Sequence, residues 1–259
     1  MIYLVSVFIF ILGTVLASFI GVIIYRVPNK MSIVKPDSFC PHCKQKIKWY
    51  DNIPILSFII LKGKCRYCHS PIGYFSFILE ILGGVSFLLA FLQFRLSYDL
   101  IFVLLLVCLF LVIGGIDYQT HYIYDLTQVI YFILTLGYVS YLVFYLKMDY
   151  MPYLIGALVG FLFFFLIKVI GKLVMKQECL GMGDVILMTI SGLLLGYQCL
   201  IIAILVGSLL GSIIEVTLIS LKKKSRDSEI AFGPYLLIGT YFALLYGNLL
   251  IDFYIRLVI

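Results

Sequence analysis

Apolar runs of about 17–25 residues follow one another along this chain, each long enough to cross a hydrocarbon core of roughly 30 Å as a helix. Of its 259 residues 63% are hydrophobic and only 12% are charged, whereas a soluble domain carries about a quarter charged residues. A soluble fold has no core large enough to hide so many apolar side chains. In lipid the backbone must satisfy its own hydrogen bonds, and these runs lack the alternation of a membrane barrel. The spans are therefore helical, and the chain is expected to be an all-α polytopic membrane protein.

The spans read as about Ile2 to Tyr25, Tyr74 to Phe94, Leu100 to Ile116, Leu126 to Leu146 and Tyr153 to Val174. The stretch from Val185 to Leu221 is too long for one crossing and is expected to turn near Gly196, Tyr197 and Gln198, with a short first helix. A last span starts near Ile230 and runs to about Tyr246, leaving an amphipathic tail with Asp252 and Arg256. About eight transmembrane helices result, or six or seven if the sixth is re-entrant. The first run has neither a basic n-region nor a small-residue cleavage site before Arg26, so it is expected to stay as a helix.

Lys and Arg in alternate loops set the orientation. One side holds nine in residues 26–72, then Lys168, Lys172 and Lys176, then Lys222, Lys223, Lys224 and Arg226; the other holds only Arg95, Lys147 and Arg256. Sixteen against three places the first set in the cytoplasm and both termini outside. Those loops account for the net charge of +6 as contact with anionic lipid, and no nucleic-acid partner is implied.

The one substantial polar segment, residues 26–72, carries Cys40-Pro-His-Cys43 and, after 21 intervening residues, Cys65-Arg-Tyr-Cys68. Paired C-x-x-C knuckles place four thiolates around one tetrahedral ion. On the reducing side of the membrane zinc is favoured over two disulfides. Four thiolates close the coordination sphere, so such an ion folds the loop and catalyses nothing. His42 and His69 stand beside the ligands and read as non-ligands. Cys108 and Cys199 read as small apolar fillers within spans, and Cys179 as a free thiol in a loop.

Ionisable groups at membrane depth are costly and mark candidate functional sites. Glu80, Asp117, Asp184 and Glu215 are the ones here. Asp117 closes the third span in Gly114-Gly-Ile-Asp117, and Asp184 opens the sixth in Gly181-Met-Gly-Asp184. Both fall at the same boundary, where two carboxylates in contact would share a proton. The ionised member takes a proton from water while the protonated one hydrogen-bonds a peptide carbonyl, which is general acid–base amide hydrolysis. Gly181 and Gly183, without side chains, would let a substrate strand approach. The competing reading makes both aspartates helix caps, with Asp184 as an N-cap. Asp125, before the fourth span, reads as a cap only, and Glu80 and Glu215 as partners of polar groups on neighbouring helices.

Taken in order, these pieces resemble the type IV prepilin peptidases, aspartic proteases of the G-x-G-D type, particularly the branch serving competence pseudopilins. Ala17-Ser-Phe-Ile-Gly-Val-Ile-Ile-Tyr-Arg26-Val-Pro28 is similar to the family's opening motif. The two knuckles, Asp51-Asn-Ile-Pro-Ile-Leu-Ser57, Gly63-Lys-Cys65, Glu80, Asp117, Gly181-Met-Gly-Asp184 and Phe232-Gly-Pro234 continue the match. The resemblance implies a hydrolase that removes the basic leader of prepilins or pseudopilins at the cytoplasmic face of a bacterial cytoplasmic membrane, in pilin maturation, competence or type II secretion. It implies Asp117 and Asp184 as catalytic. It also implies a possible second activity, methylation of the new amino terminus from S-adenosylmethionine, with Gly63, Lys64 and Glu80 in the methyltransferase or supporting region. Residues 26–72 would be the zinc loop of that region, 1–25 the first transmembrane helix and 73–259 the peptidase domain. The chain departs from the pattern at Gly21, Tyr124 and Ile186, which replace Asn, Pro and Lys. Two other classes compete: a zinc-stabilised membrane scaffold or pilus assembly factor without catalysis, and a transporter relaying protons through Glu80 and Glu215.

Overall fold

A computed structural model of the protein describes residues 2–35, 37–175, 180–222 and 231–258. Cys179, Lys176, Lys223, Lys224, Arg226 and Ile230, each given a role above, lie outside the described residues. Within them the chain is helical: α1 (Ile2–Arg26), α2 (Leu56–Ile60), α3 (Tyr74–Phe94), α4 (Tyr98–Thr120), α5 (Asp125–Ser140), α6 (Met151–Met175), α7 (Met182–Ser220) and α8 (Gly233–Val258). A wider π turn, Tyr141–Tyr145, prolongs α5. All but α2 are long and apolar enough to span a membrane, which makes seven such helices among the described residues. Their outer faces expose large apolar side chains such as Phe8, Ile101, Leu158 and Ile213, a surface suited to acyl chains and not to water. The chain is a multi-pass membrane protein.

The sixth of these helices in chain order, α7, has 39 residues and if straight would extend about 58 Å, twice the hydrocarbon thickness. It breaks at Gly196, whose φ of 75° and ψ of 165° are non-helical and suit a residue without Cβ. The pieces, 182–195 and 197–220, are the short and long helices expected from the sequence, and with this division the seven elements hold eight helical segments. The last helix does differ. The expected tail is not separate, since α8 continues through Asp252 and Arg256. Gly247, where a break would fall, stays helical and lets α8 pass close to Cys199, whose Sγ lies 2.7 Å from where a Cβ would stand.

The chain divides into two compact units, Met1–Gly115 and Ile116–Ile259. In the first, α1 packs along α3. Arg26 is buried at the end of α1, and its Nη1 donates to the carbonyl oxygens of Ser32 (2.9 Å) and Ile33 (3.1 Å), turning the chain into the polar loop. In the second, α7 is central and packs against α5, α6 and α8. Without a hydrophobic drive between helices in lipid, close packing and buried hydrogen bonds hold such a bundle. Tyr131 of α5 and Thr240 of α8 both meet the hydroxyl of Ser191 in α7, at 3.0 and 3.3 Å, all three fully buried.

Candidate active site

Asp117 lies in the last turn of α4 and is buried. The chain leaves that helix through His121, whose N–H donates to the Asp117 carbonyl oxygen at 2.8 Å and whose φ is 54°. Ile123, buried, then leads into α5. Asp184 lies in the first turn of α7, where Gly181 is the N-cap residue. Asp184 is thus not the N-cap. It is the third helical residue, and its carboxylate accepts from the Gly181 backbone N–H, the reach-back half of a capping box. The Asp117 carboxylate accepts from the backbone N–H of Gly233, at the start of α8. Both acids therefore draw on otherwise unpaired N–H groups of helix N-termini, which favour negative charge.

Ile123 sits among the pieces. A Cβ on Gly183 would stand 3.2 Å from Ile123 Cβ, and one on Gly233 would stand 3.3 Å from Ile123 Cδ1 and 2.6 Å from Asp117 Oδ2. Asp117 and Asp184 are near enough for their charges to act on each other. Each retains a buried oxygen, Oδ2 of Asp117 and Oδ1 of Asp184, with no hydrogen-bond partner among the described residues. Buried carboxylate oxygens rarely lack partners. Two of them in one site form a place for a water molecule or a substrate amide, and a cap alone would not leave them so.

The glycines differ. Gly181 is exposed, and a Cβ there would meet Asp184 Oδ2 only at ordinary contact distance, 3.5 Å. Gly183 faces Ile123 and the Gln128 amide nitrogen, so its missing side chain first serves packing. Gln128 itself was not singled out in the sequence. It is buried in the first turns of α5, and its Nε2 donates to the Gly183 carbonyl oxygen at 2.9 Å, fixing the Gly-rich turn to α5. The signal was there: an amide within an otherwise apolar span. Asp125 is exposed at the start of α5. Glu215 accepts from the Tyr235 hydroxyl at 3.1 Å within the α7–α8 contact.

In the polar loop the Sγ atoms of Cys40, Cys43, Cys65 and Cys68 all lie within 4.8 Å of one another. Those of Cys40 and Cys68 are 3.8 Å apart, which is the edge of a tetrahedron with metal–sulfur bonds of about 2.3 Å. The two knuckles fold alike. Cys40 N–H donates to Gln45 O and Lys44 N–H to Cys40 O; Cys65 N–H donates to Ser70 O and His69 N–H to Cys65 O, all at 2.8–3.0 Å. Lys44 and His69 both take positive φ, 59° and 56°. The backbone N–H of Cys43, then that of His42 and the neighbouring thiols, outweigh burial and bring the Cys40 thiol down to about 6. The cluster can hold a metal ion, and His42 and His69 are exposed beside it.

Glu80 is buried in α3 and accepts from the Ile55 N–H at 2.7 Å, holding that residue at a φ of 64°. Gly63 has a φ of 67°, its carbonyl accepts from Ile72 N–H at 2.7 Å, and Lys64 pairs with Pro71 in an antiparallel bridge. Pro71 and Ile72 line a cleft of about 360 Å³ beside the knuckles, with Asp51, Arg66 and Ser76 among its polar groups. Arg66 Nε donates to Asp51 at 2.8 Å, and the guanidinium holds that carboxyl below its usual range.

Known proteins resemble the chain over most of its length. Residues 11–94 match the family described as Bacterial Peptidase A24 N-terminal domain, and residues 104–216 match the Type IV leader peptidase family. A prepilin leader peptidase/N-methyltransferase of Myxococcus xanthus is 36% identical over 215 residues, 83% of this chain and 63% of that protein. One of Dickeya chrysanthemi is 30% identical over 255 residues, 88% of each chain. One of Bacillus subtilis is 29% identical over 248 residues, 96% of this chain and 97% of that protein. No solved structure matches the chain. With both its N-terminal and its peptidase portions matched, and with a relative 30% identical over 88% of each chain, the chain belongs to the type IV leader peptidase family.

Proposed function

We propose that this chain is a membrane aspartic endopeptidase that removes the basic leader of type IV prepilins or pseudopilins, with Asp117 and Asp184 as its catalytic pair. The observation that carries this is the pair of buried carboxylate oxygens, one on each aspartate, that have no partner among the described residues, at a site pinned by Gln128, Ile123 and Gly233. The ionised carboxylate takes a proton from water as the water oxygen attacks the scissile carbonyl carbon. The protonated one donates to the carbonyl oxygen, giving a neutral tetrahedral diol. In collapse the carboxylate that gave up its proton takes one back from a diol hydroxyl, which becomes the carbonyl, while the other carboxyl gives the proton it took from water to the departing nitrogen and the C–N bond breaks. Gly181, the open side of the turn, is where an extended junction would approach. The excess of Lys and Arg in the loops on this side supports a position at the cytoplasmic face of the cytoplasmic membrane. A scaffold would have no use for the two orphaned oxygens, and Glu215, satisfied by Tyr235, is a poor proton relay. The direct test is co-expression with a candidate prepilin, reading leader removal and the mass of the new N-terminus together. An intact leader after expression with its cognate prepilin would overturn the assignment.

Gly233→Ala is a sharper check on the geometry. Its methyl would stand 2.6 Å from Asp117 Oδ2 and must displace that carboxylate. Misplacement of about 1 Å costs on the order of a hundredfold in rate, so cleavage is expected to fall that far at unchanged protein level. A Gly233→Ala enzyme with wild-type turnover would show that Asp117 is not held as described.

The four cysteines would hold one zinc ion, which supplies folding energy to the loop and no open coordination position. The second activity rests on less, namely the names of the relatives. The 360 Å³ cleft is of ligand-binding size and would be the place in this loop for a cofactor such as S-adenosylmethionine, which when bound supplies a methyl group to an amine. Gly63, Lys64 and Glu80 do not line it; Gly63 and Lys64 hold the backbone of its Pro71–Ile72 wall, and Glu80 holds the Ile55 turn. Residues 26–72 would then form the methyltransferase-associated loop and 73–259 the peptidase portion. The mass of the processed N-terminus reads this activity apart from cleavage.

A further inference from the structure

A groove of about 440 Å³ runs beside the active site between α5 and α7. Asp125, Gln128, Val129 and Phe132 line it from α5; Ile186, Thr189, Ile190 and Leu193 line it from α7; and Ala157 contributes from α6. Each long wall is one helical stripe at i, i+3, i+4 and i+7. Both stripes start at the Asp184 end, where the Gln128–Gly183 hydrogen bond ties the two helix starts together. The groove is therefore a lengthwise trough, apolar for most of its run, open beside the candidate scissile site and charged only at that mouth. The charge is Asp125, exposed and without an ion pair among the described residues, and no Lys or Arg lines the trough.

We propose that this trough seats the apolar helix of the substrate, and that Asp125 receives a basic side chain at the junction of leader and helix. The proposal rests on the peptidase reading above and names where that substrate lies. Charge complementarity selects the occupant. A lipid acyl chain satisfies the apolar wall and leaves Asp125 without a partner, whereas a helix preceded by Lys or Arg satisfies both. A helix laid along an apolar groove is a general recognition mode, and a cation–carboxylate contact at the membrane boundary fixes its depth. The seated helix brings its leader end to the turn carrying Asp184. Ile186, which stands two residues after Asp184, extends the apolar wall to the mouth and puts no cation in competition for Asp125.

The test uses full-length enzyme in vesicles and a purified substrate with one apolar helix and a single Lys at its leader junction. Asp125→Lys is expected to raise KM roughly tenfold with kcat within about twofold. A substrate carrying Glu in place of that Lys should restore KM for the Asp125→Lys enzyme and be poorer with the wild type. Ala157→Phe, which fills the trough, should likewise raise KM roughly tenfold, while Ile133→Phe, on the exposed face of α5, should leave it unchanged. The charge-swapped rescue separates lost recognition from lost folding. If both Asp125→Lys and Ala157→Phe keep wild-type KM while Asp117→Asn abolishes cleavage, the trough holds lipid and the proposal fails with the peptidase reading intact. A KM increase in Asp125→Lys that the swapped substrate does not reverse also overturns it.

Discussion

Changing either Asp117 or Asp184 to Asn is expected to lower leader cleavage by roughly 10²–10⁴-fold, the contribution of positioned general acid–base groups. The double variant should be little worse than either single one, because groups that act as a unit are grossly non-additive. Protein level and thermal stability should hold or rise. Each aspartate already has a buried oxygen with no partner among the described residues, and such an oxygen carries an uncompensated desolvation penalty. Asn has the same shape without a charge to desolvate. Single-turnover cleavage alongside a thermal melt of the same preparation reads both effects. Near-normal cleavage by either purified variant would sink the pair assignment. Loss of activity together with loss of folding would make both aspartates structural caps.

The second large effect concerns the metal. Purified protein is expected to contain about one zinc per chain, and its removal, or Cys65→Ser, should unfold the loop from Phe39 to Ile72. Structural zinc contributes on the order of 10 kcal/mol to the fold it closes. The loop has little else to hold it: two isolated bridges, a five-residue helix and a short 3₁₀ turn at Trp49–Asn52. Among the anchors that remain are Glu80 on Ile55, Arg66 on Asp51 and the Phe58 ring stacked on Phe77 of α3. Limited proteolysis should then cut within the loop while the helices α5 to α8 stay protected. A metal-free preparation with a protease-resistant loop would refute the zinc assignment. Because four thiolates leave no open position, slowed cleavage after zinc removal should follow loop unfolding and not precede it.

Much of the fold was legible because membrane burial imposes a simple rule: each apolar run must be a helix. The break at Gly196 was visible for the same reason, since 39 helical residues overshoot the bilayer and one glycine offers the non-helical turn. The end of α8 was misjudged. Falling hydropathy near Asp252 and Arg256 suggested a separate tail, but polarity does not stop a helix, and no breaker follows Gly247. The cysteine pattern was equally plain, because two C-x-x-C knuckles have few uses.

The sequence by itself determined the helical membrane class, the four-thiolate cluster as a candidate metal site and the identity of the two acids in their motifs, because each depends on residue type and short spacing alone. Only the tertiary structure decided which groups meet. Asp184 appeared able to cap its own helix; in the structure Gly181 holds that position and the carboxylate turns back to it. Gly183 appeared free for a substrate and proves packed on Ile123. Gln128 and the trough from Asp125 to Leu193 belong to no short motif, since α5 and α7, which form its long walls and are tied by the Gln128–Gly183 hydrogen bond across 55 residues of chain, meet only in the folded bundle. Such long-range packing is set by which helix faces fit together in lipid, where small residues and a few buried hydrogen bonds outweigh hydrophobicity, and no local pattern in the chain records that choice.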